Sequence, residues 1–532
     1  PRIDIKIFVN GKIWTNDRPQ KEATAMAVQG GCIVAVGDES TVQPFKHSNT
    51  QIVDLNGKRV LPGFNDAHVH FMKGGFHLLG VDLRKAQTRD EFRAIVKDYA
   101  SNLPNGRWIT GGNWDHEVWP DKHWPSKELI DDVTPDHPVM VQRLDMHIAL
   151  ANSRALGMAG ITTDTPDPFG GTIHRDPKTG VPTGILIDNA ADLVYGVIPD
   201  PTAEERLQAA RAAQQHALSL GVTSLQDINA SERDLRTYLN LCEASEFKVR
   251  LYVFRPIGLR RQLAEVGVRR AFGNAWMRIG GVKAFTDGSM GARSALFYEP
   301  YNDDPATSGL ALQSKEDLLK MILEADASGL QIALHAIGDK ANTWALDAFE
   351  AARKRNGNWE RRHRIEHAQV VLPTDLPRFA ELGVIASLQP SHCIDDMRWA
   401  EGRIGNRTKH SYLVRSFVKH DSQIAFGTDW TVASLNPMEG LYAAVTRESL
   451  EGSPAGGWFP DEKIALEQAI EFYTLGSAYA EFADHEKGRL VPGSLADFVV
   501  LDRDIFSISP KELPETRVLM TVVGGDVMFE QT

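Results

Sequence analysis

Between residues 60 and 430 the chain alternates short apolar, β-branched runs with longer helical stretches, and no other feature restricts the fold as strongly. Parallel strands need a crossover connection, which a helix supplies, so strand–helix repetition indicates a parallel α/β architecture. The strand candidates are the run before His68, then 222–225, 249–254, 277–285, 331–335, 363–367, 384–388 and 422–429. They number eight, as a (β/α)8 TIM barrel requires. Helices are expected at 203–220, 314–328, 341–356 and 374–382. Gly221 is placed to end the first of them as a C-cap.

The two ends have a different texture. Ile3, Ile5, Ile7 and Val9 alternate with polar residues, and Asn10-Gly11, Gln29-Gly30-Gly31 and Asn56-Gly57 mark turns, which suggests a small antiparallel sheet of hairpins. Strand-like runs return at 498–501, 518–523 and 526–529. Because termini commonly lie close together, residues 1–60 and 485–532 are expected to form one composite β-sandwich, with a barrel domain over 61–484. Residues 72–200 break the alternation. They carry Trp108, Trp114, Trp119 and Trp124 with many Pro and Gly, and are too long for a structureless loop, so they read as an insertion after the first barrel strand, lying over the barrel mouth.

A chain of 532 residues exceeds one ordinary core. Its formal charge of −12 argues against nucleic acid as a partner. Cys32, Cys242 and Cys393 are scattered and form neither a disulfide framework nor a thiolate zinc site. No apolar run approaches the roughly 20 residues that span a bilayer. The first residues alternate like a strand rather than a signal peptide, so no membrane association and a cytoplasmic location are expected.

The chemistry-bearing residues gather at the strand ends. Val60-Leu61-Pro62-Gly63-Phe64-Asn65-Asp66-Ala67-His68-Val69-His70 ends in a His-x-His pair, and two residues apart on a strand puts both imidazoles on one face. Lys283, His335, His367 and Asp429 end later strands. Active sites of TIM barrels occupy that face and draw on several strands. Taken singly, each has a plainer reading: His335 and His367 as hydrogen-bonded strand-end histidines, Asp429 as a helix N-cap, Lys283 as a side chain reaching solvent or pairing with Asp287. As an ordered series of six they indicate a divalent-metal centre. An ammonium beside a cation is electrostatically unfavourable. Lys283 is therefore expected to act as a carbamate, formed with carbon dioxide, that could bridge two ions. His363 is set aside as structural.

These residues bear a family likeness. The His-x-His phrase, Val282-Lys283-Ala284-Phe285-Thr286-Asp287-Gly288-Ser289 and Arg364-Ile365-Glu366-His367 resemble the amidohydrolase superfamily, in its YtcJ-like branch with the N-substituted formamide deformylases. Asn113-Trp114-Asp115, the run from Arg143 to Leu156 and Ala496-Asp497-Phe498-Val499-Val500-Leu501 extend the likeness over nearly the whole chain. The resemblance implies one or two divalent ions, zinc foremost. His68 and His70 would hold one and His335 and His367 the other, Lys283 would bridge, and Asp429 would serve as ligand and general base. It implies hydrolysis of an amide or other non-peptide C–N bond by a metal-activated hydroxide.

Trp114, Asp115, Arg143, Asp145 and His147 are the substrate-contact candidates, with Arg293 or His147 as an oxyanion donor. A small-molecule substrate and a homodimer are expected. Two rival readings are weaker. A mononuclear deaminase of a cyclic amidine would carry a glutamate soon after His335, where this chain has Ala336-Ile337-Gly338-Asp339. A non-catalytic barrel scaffold would have lost ligands, and all six are present.

Overall fold

The computed structural model describes residues 5–143, 148–168 and 171–531. Eight strands form the barrel: β1 (Phe64–Val69), β2 (Val222–Asp227), β3 (Arg250–Pro256), β4 (Met277–Phe285), β5 (Gln331–Ala336), β6 (Arg364–His367), β7 (Ile385–Leu388) and β8 (Ile424–Phe426). Each pairs in parallel with its neighbour in chain order. β1 and β8 meet through the residues just past β8: Asp429 N–H donates to His68 O and His70 N–H to Trp430 O, both at 2.7 Å. The ring of strands thus closes at the residues singled out as ligands.

The crossover helices have legible causes. Ser314 caps Lys315–Ala327 by accepting from Asp317 N–H. Gly221, at φ +77°, ends Ala203–Ser219; a Cβ there would lie 2.7 Å from Val499 Cγ2, so only glycine fits this stop. Among the described residues no helix is long and apolar enough to cross a membrane.

Both ends build a pair of sheets. In one of six strands, Arg59–Pro62 lies between Phe498–Leu501 and Lys12–Trp14. Phe8, Met26 and Val60 share a buried cluster with Phe498, Val500 and Val522, and Phe8 meets Phe498 edge-to-face at 4.9 Å, worth about 1 kcal/mol beyond burial. The expected hairpins are corrected in part. Gln29-Gly30-Gly31-Cys32 does turn one, with both glycines at positive φ. At Asn10-Gly11 and Asn56-Gly57, however, the chain changes sheets: Ile5–Val9 pairs with Ala25–Gln29 and, in parallel, with Gln51–Asp54, never with Lys12–Trp14. An Asn-Gly pair specifies a turn but carries no information on which strand the chain pairs with next.

Residues Gly75–Ala212 form a separate compact unit. It has its own six-stranded sheet and its own core around Phe92, Val96, Trp114 and Trp119.

One buried ion pair tests the packing outside the barrel. Asp326 accepts from Arg361 at 2.6 and 3.1 Å, His363 at 2.8 Å and Asn356 at 2.8 Å. Burial alone would push its carboxyl up; His363 and Arg361 more than reverse this and hold it well below the ordinary value. A lowered carboxyl pKa stabilises the fold above about pH 4 and loses that contribution as pH falls toward the depressed value. Asp326→Asn is expected to cost about 3 kcal/mol at neutral pH, with the gap to wild type narrowing on acidification. Thermal melts of both proteins across pH 2–7 measure this.

Candidate metal centre at the barrel mouth

The geometry starts from the pleat. His68 and His70 leave β1 on one face, and their Nε2 atoms lie 3.4 and 3.1 Å from Asp429 Oδ1. His68 is 1% exposed, while the His70 side chain is 33% exposed, so one flank of the cluster is open. Asp429 adopts a left-handed backbone (φ +56°), as does His367 (φ +76°). Non-glycine residues there are strained, and such strain concentrates at functional sites. Gly427 permits the arrangement, since a Cβ would sit 2.6 Å from His68 N. Asp66 holds both segments: Oδ1 accepts from His68 N–H and Thr428 N–H, and Oδ2 from the Thr428 hydroxyl at 2.6 Å. Burial raises its carboxyl to about 6 despite these donors.

Three of the rings have one nitrogen engaged from behind. His68 Nδ1 meets Glu366 Oε2 at 2.6 Å, His367 Nδ1 meets Gln389 Oε1 at 2.7 Å, and His335 Nε2 meets Gly288 O at 2.9 Å. Such bonds fix the tautomer and leave the other nitrogen as the ligand. Burial drives His367 well below the ordinary value, helped by His335, and takes His335 to about 3 with Lys283 adding to it. Ligating imidazoles must be neutral. His68 goes the other way: burial opposes its protonation, but Asp429 and Glu366 overcome that.

Lys283 is 2% exposed, so it does not reach solvent. Nor is it the partner of Asp287, whose oxygens accept from Leu296, Ile337 and Gly338 N–H. Its Nζ lies 5.1 Å from the Phe285 ring centre, and burial lowers its pKa to about 8 against the pull of Glu366 and Asp429. The route by which it faces the site is a bulge. The β3–β4 register shifts near Gly280 (φ +115°), so that Arg278 and Lys283, five positions apart, can both turn inward.

Among the described residues, two sets of ligand atoms each lie within 4.8 Å of one another: His68, His70 and Asp429, and His367, His392 and Asp429. His335 flanks the second set, its ring 4.6 Å from that of His367. Whether the residues suit a cation is answered by Asp429 Oδ1 and His392 Nε2. Both are buried and neither has a hydrogen bond of acceptable geometry. Leaving such atoms unpaired is costly, and a divalent ion among them would remove that cost. The donor set fits.

His392 is not visible in the strand-end pattern because it lies past the strand, in the helix Pro390–Asp396. The polar run Gln389-Pro390-Ser391-His392 after β7 was the available signal. The sequence signal for Glu366 is a short strand that carries Arg364 and Glu366 on one face.

The substrate-contact candidates fare differently. Trp114 is corrected: it is fully buried, donates Nε1–H to Val141 O at 3.0 Å and packs with Phe92 and Trp119, so it is a core residue of the insertion. Arg143 and Asp115 pair with each other at 3.2 Å. Arg293, considered as an oxyanion donor, is instead engaged by both Asp303 oxygens at 3.1 and 2.9 Å. Asp145 and His147 lie outside the described residues.

A sequence model of the amidohydrolase family matches residues 51–529. The chain belongs to the amidohydrolase family. This amidohydrolase is 39% identical to Protein LONG AFTER FAR-RED 3 of Arabidopsis thaliana, over 98% of its own length and 91% of the relative's. It is 30% identical to the putative amidohydrolase YtcJ of Bacillus subtilis, over 99% of both. It is 28% identical to an N-substituted formamide deformylase of Arthrobacter pascens, over 99% of this chain and 98% of that one. A solved structure, an uncharacterized metal-dependent hydrolase from Pyrococcus furiosus, superposes with a TM-score of 0.79 at 32% identity, covering 94% of this chain and 99% of that one. The amidohydrolase is thus a hydrolase of a metal-dependent family, and the resemblance read from its sequence holds over its full length.

Proposed function

We propose that this amidohydrolase cleaves the C–N bond of a small non-peptide amide, an N-substituted formamide or N-acyl amine, at the His68–His70–Asp429 centre. The observation that carries this is the buried Asp429 Oδ1, which faces two imidazole nitrogens at 3.1 and 3.4 Å without a hydrogen bond. The deformylase relative supplies the substrate class. His68, His70 and Asp429 would hold one divalent ion, zinc by resemblance, and His335 and His367 a second, with Lys283 as a carbamate between them. Such an ion, when bound, would acidify water to a pKa of about 7 and polarise a carbonyl. Asp429 accepts the proton of the attacking water on a carboxylate oxygen and returns it to the leaving nitrogen. Glu366 keeps the His68 proton on Nδ1 throughout, and the half-open His70 side marks where substrate enters.

A hydrolysis screen of N-formyl, N-acyl and cyclic amides, with metal content measured alongside, tests the reading. Turnover of an amide is expected, with release of amine and acid together, or of one amino acid from a cyclic amide. Chelation is expected to abolish it and zinc to restore it; full activity in metal-free protein would overturn the proposal. Lys283→Ala is expected to lower the bound metal per chain, and unchanged metal content would remove the bridging role.

A further inference from the structure

TIM-barrel interiors are ordinarily filled by layers of branched apolar side chains. Part of this one is filled by a chain of polar and charged side chains. Behind His68, the Glu366 carboxylate accepts from Arg364 Nε at 2.5 Å and from the Ser387 hydroxyl at 2.7 Å. Arg364 passes to the Gln226 side-chain oxygen. The Gln226 amide donates to Asn65 Oδ1 at 3.2 Å and to Ser477 O at 2.8 Å. The Asn65 amide donates to Glu481 Oε1 at 2.5 Å. Glu481 is held by Lys487 at 2.7 Å and Arg278 at 3.3 Å, and Lys487 donates to Ser224 Oγ at 2.9 Å.

Every member is buried: Glu366, Arg364, Gln226 and Ser387 at 0%, Asn65 and Glu481 at 2%, Lys487 at 5% and Arg278 at 8%. Asn65 and Arg278 stand second in β1 and β4, whereas His68 stands near the end of β1. The chain of bonds therefore runs lengthwise through the barrel, from its N-terminal end to the ligands. The charges alternate: Glu366 negative, Arg364 positive, Glu481 negative, Lys487 and Arg278 positive. Replacing such a network by apolar residues is often neutral or stabilising, so stability alone does not explain why it ends on a ligand ring. Networks of this kind rigidify what they touch when every member is satisfied.

We propose that Asn65, Gln226 and Glu481 are positioning residues for the metal centre: through Arg364 and Glu366 they fix the orientation of the His68 ring and so set the affinity for the ion. None of the three touches the ligands, and the effect is transmitted along the hydrogen bonds. The inference rests on His68 holding a divalent ion.

The test uses the full-length chain with zinc(II) and cobalt(II) as probes. Zinc affinity is measured by competition with a chelator, and the visible absorption of the cobalt form reports ligand geometry. Asn65→Ala and Glu481→Gln are each expected to weaken zinc binding about 10–100-fold, the range for loss of outer-shell support, and to alter the cobalt spectrum. Asp326→Asn, equally buried but outside the column, serves as the control; it is expected to lower the melting temperature while keeping wild-type zinc affinity. Should Asn65→Ala fail to fold, the near-isosteric Glu481→Gln carries the test. Wild-type zinc affinity in the column variants, or an equal loss in Asp326→Asn, overturns the proposal. A wild-type chain that binds neither metal overturns the metal-centre reading, and the column proposal with it.

Discussion

Asp429→Asn is expected to lower kcat by at least about 1,000-fold while retaining more metal than activity. The amide keeps one oxygen for coordination and nearly the same shape, but it can neither take up nor return a proton near neutral pH. General acid–base catalysis contributes about 100–10,000-fold, and this residue acts in both directions, so the upper part of that range is appropriate. Burial opposes ionisation of its carboxyl, but His68 and His70 hold it well below the ordinary carboxylate value, so it is charged and free to accept a proton. Steady-state kinetics and metal analysis on the same preparation measure the two effects. Equal loss of metal and activity would reduce Asp429 to a ligand, and retained activity would remove it from the chemistry.

Arg364→Met is expected to cost about 3–5 kcal/mol, the range for removing one partner of a buried pair, and to be the most destabilising single change in the barrel interior. Arg364 is 0% exposed and donates to Glu366, Gln226, Ala67 O and Ser387. Its guanidinium also lies 5.0 Å from the Phe254 ring centre. Without it Glu366 becomes an unpaired buried carboxylate whose remaining partners are His68 and Ser387. The double variant Arg364→Met with Glu366→Gln is expected to recover part of the stability and only part of the support for His68, because the amide oxygen still accepts from Nδ1–H but carries no charge. Denaturant melts of the single and double variants, compared with zinc affinity, separate these effects. A single variant as stable as wild type would show that Glu366 is solvated or protonated in the fold.

Local chemistry decided much of this protein before any tertiary contact was known. The barrel is legible because parallel strands buried on both sides are mostly apolar and their crossovers mostly helical, and eight such strands recur along this chain. His68, His70, Lys283, His335, His367 and Asp429 stood out because polar residues that end apolar strands share one face of such a barrel. Composition and turn residues likewise set the strand-rich ends and residues 72–200 apart from the alternating middle.

Other features depend on pairings that no local pattern encodes. Asn10-Gly11 announces a turn, yet which sheet receives the next strand depends on competition among distant partners, and here Arg59–Pro62 and Phe498–Leu501 prevail. Trp114 reads equally as pocket wall or core, and only its packing on Phe92 and Trp119 assigns it to the core. His392 reaches Asp429, at 3.9 Å, where the helix after β7 packs against the helix Pro437–Thr446 that follows β8. The polar column joins β1, β2, β4, β6 and β7 to Glu481 and Lys487, residues up to 416 positions apart. Sequence therefore fixed the periodicities and the residue types available at the strand ends. Closing the barrel decided which distant side chains meet, because a hydrogen bond or a ligand set depends on separation in space, and separation along the chain does not determine that.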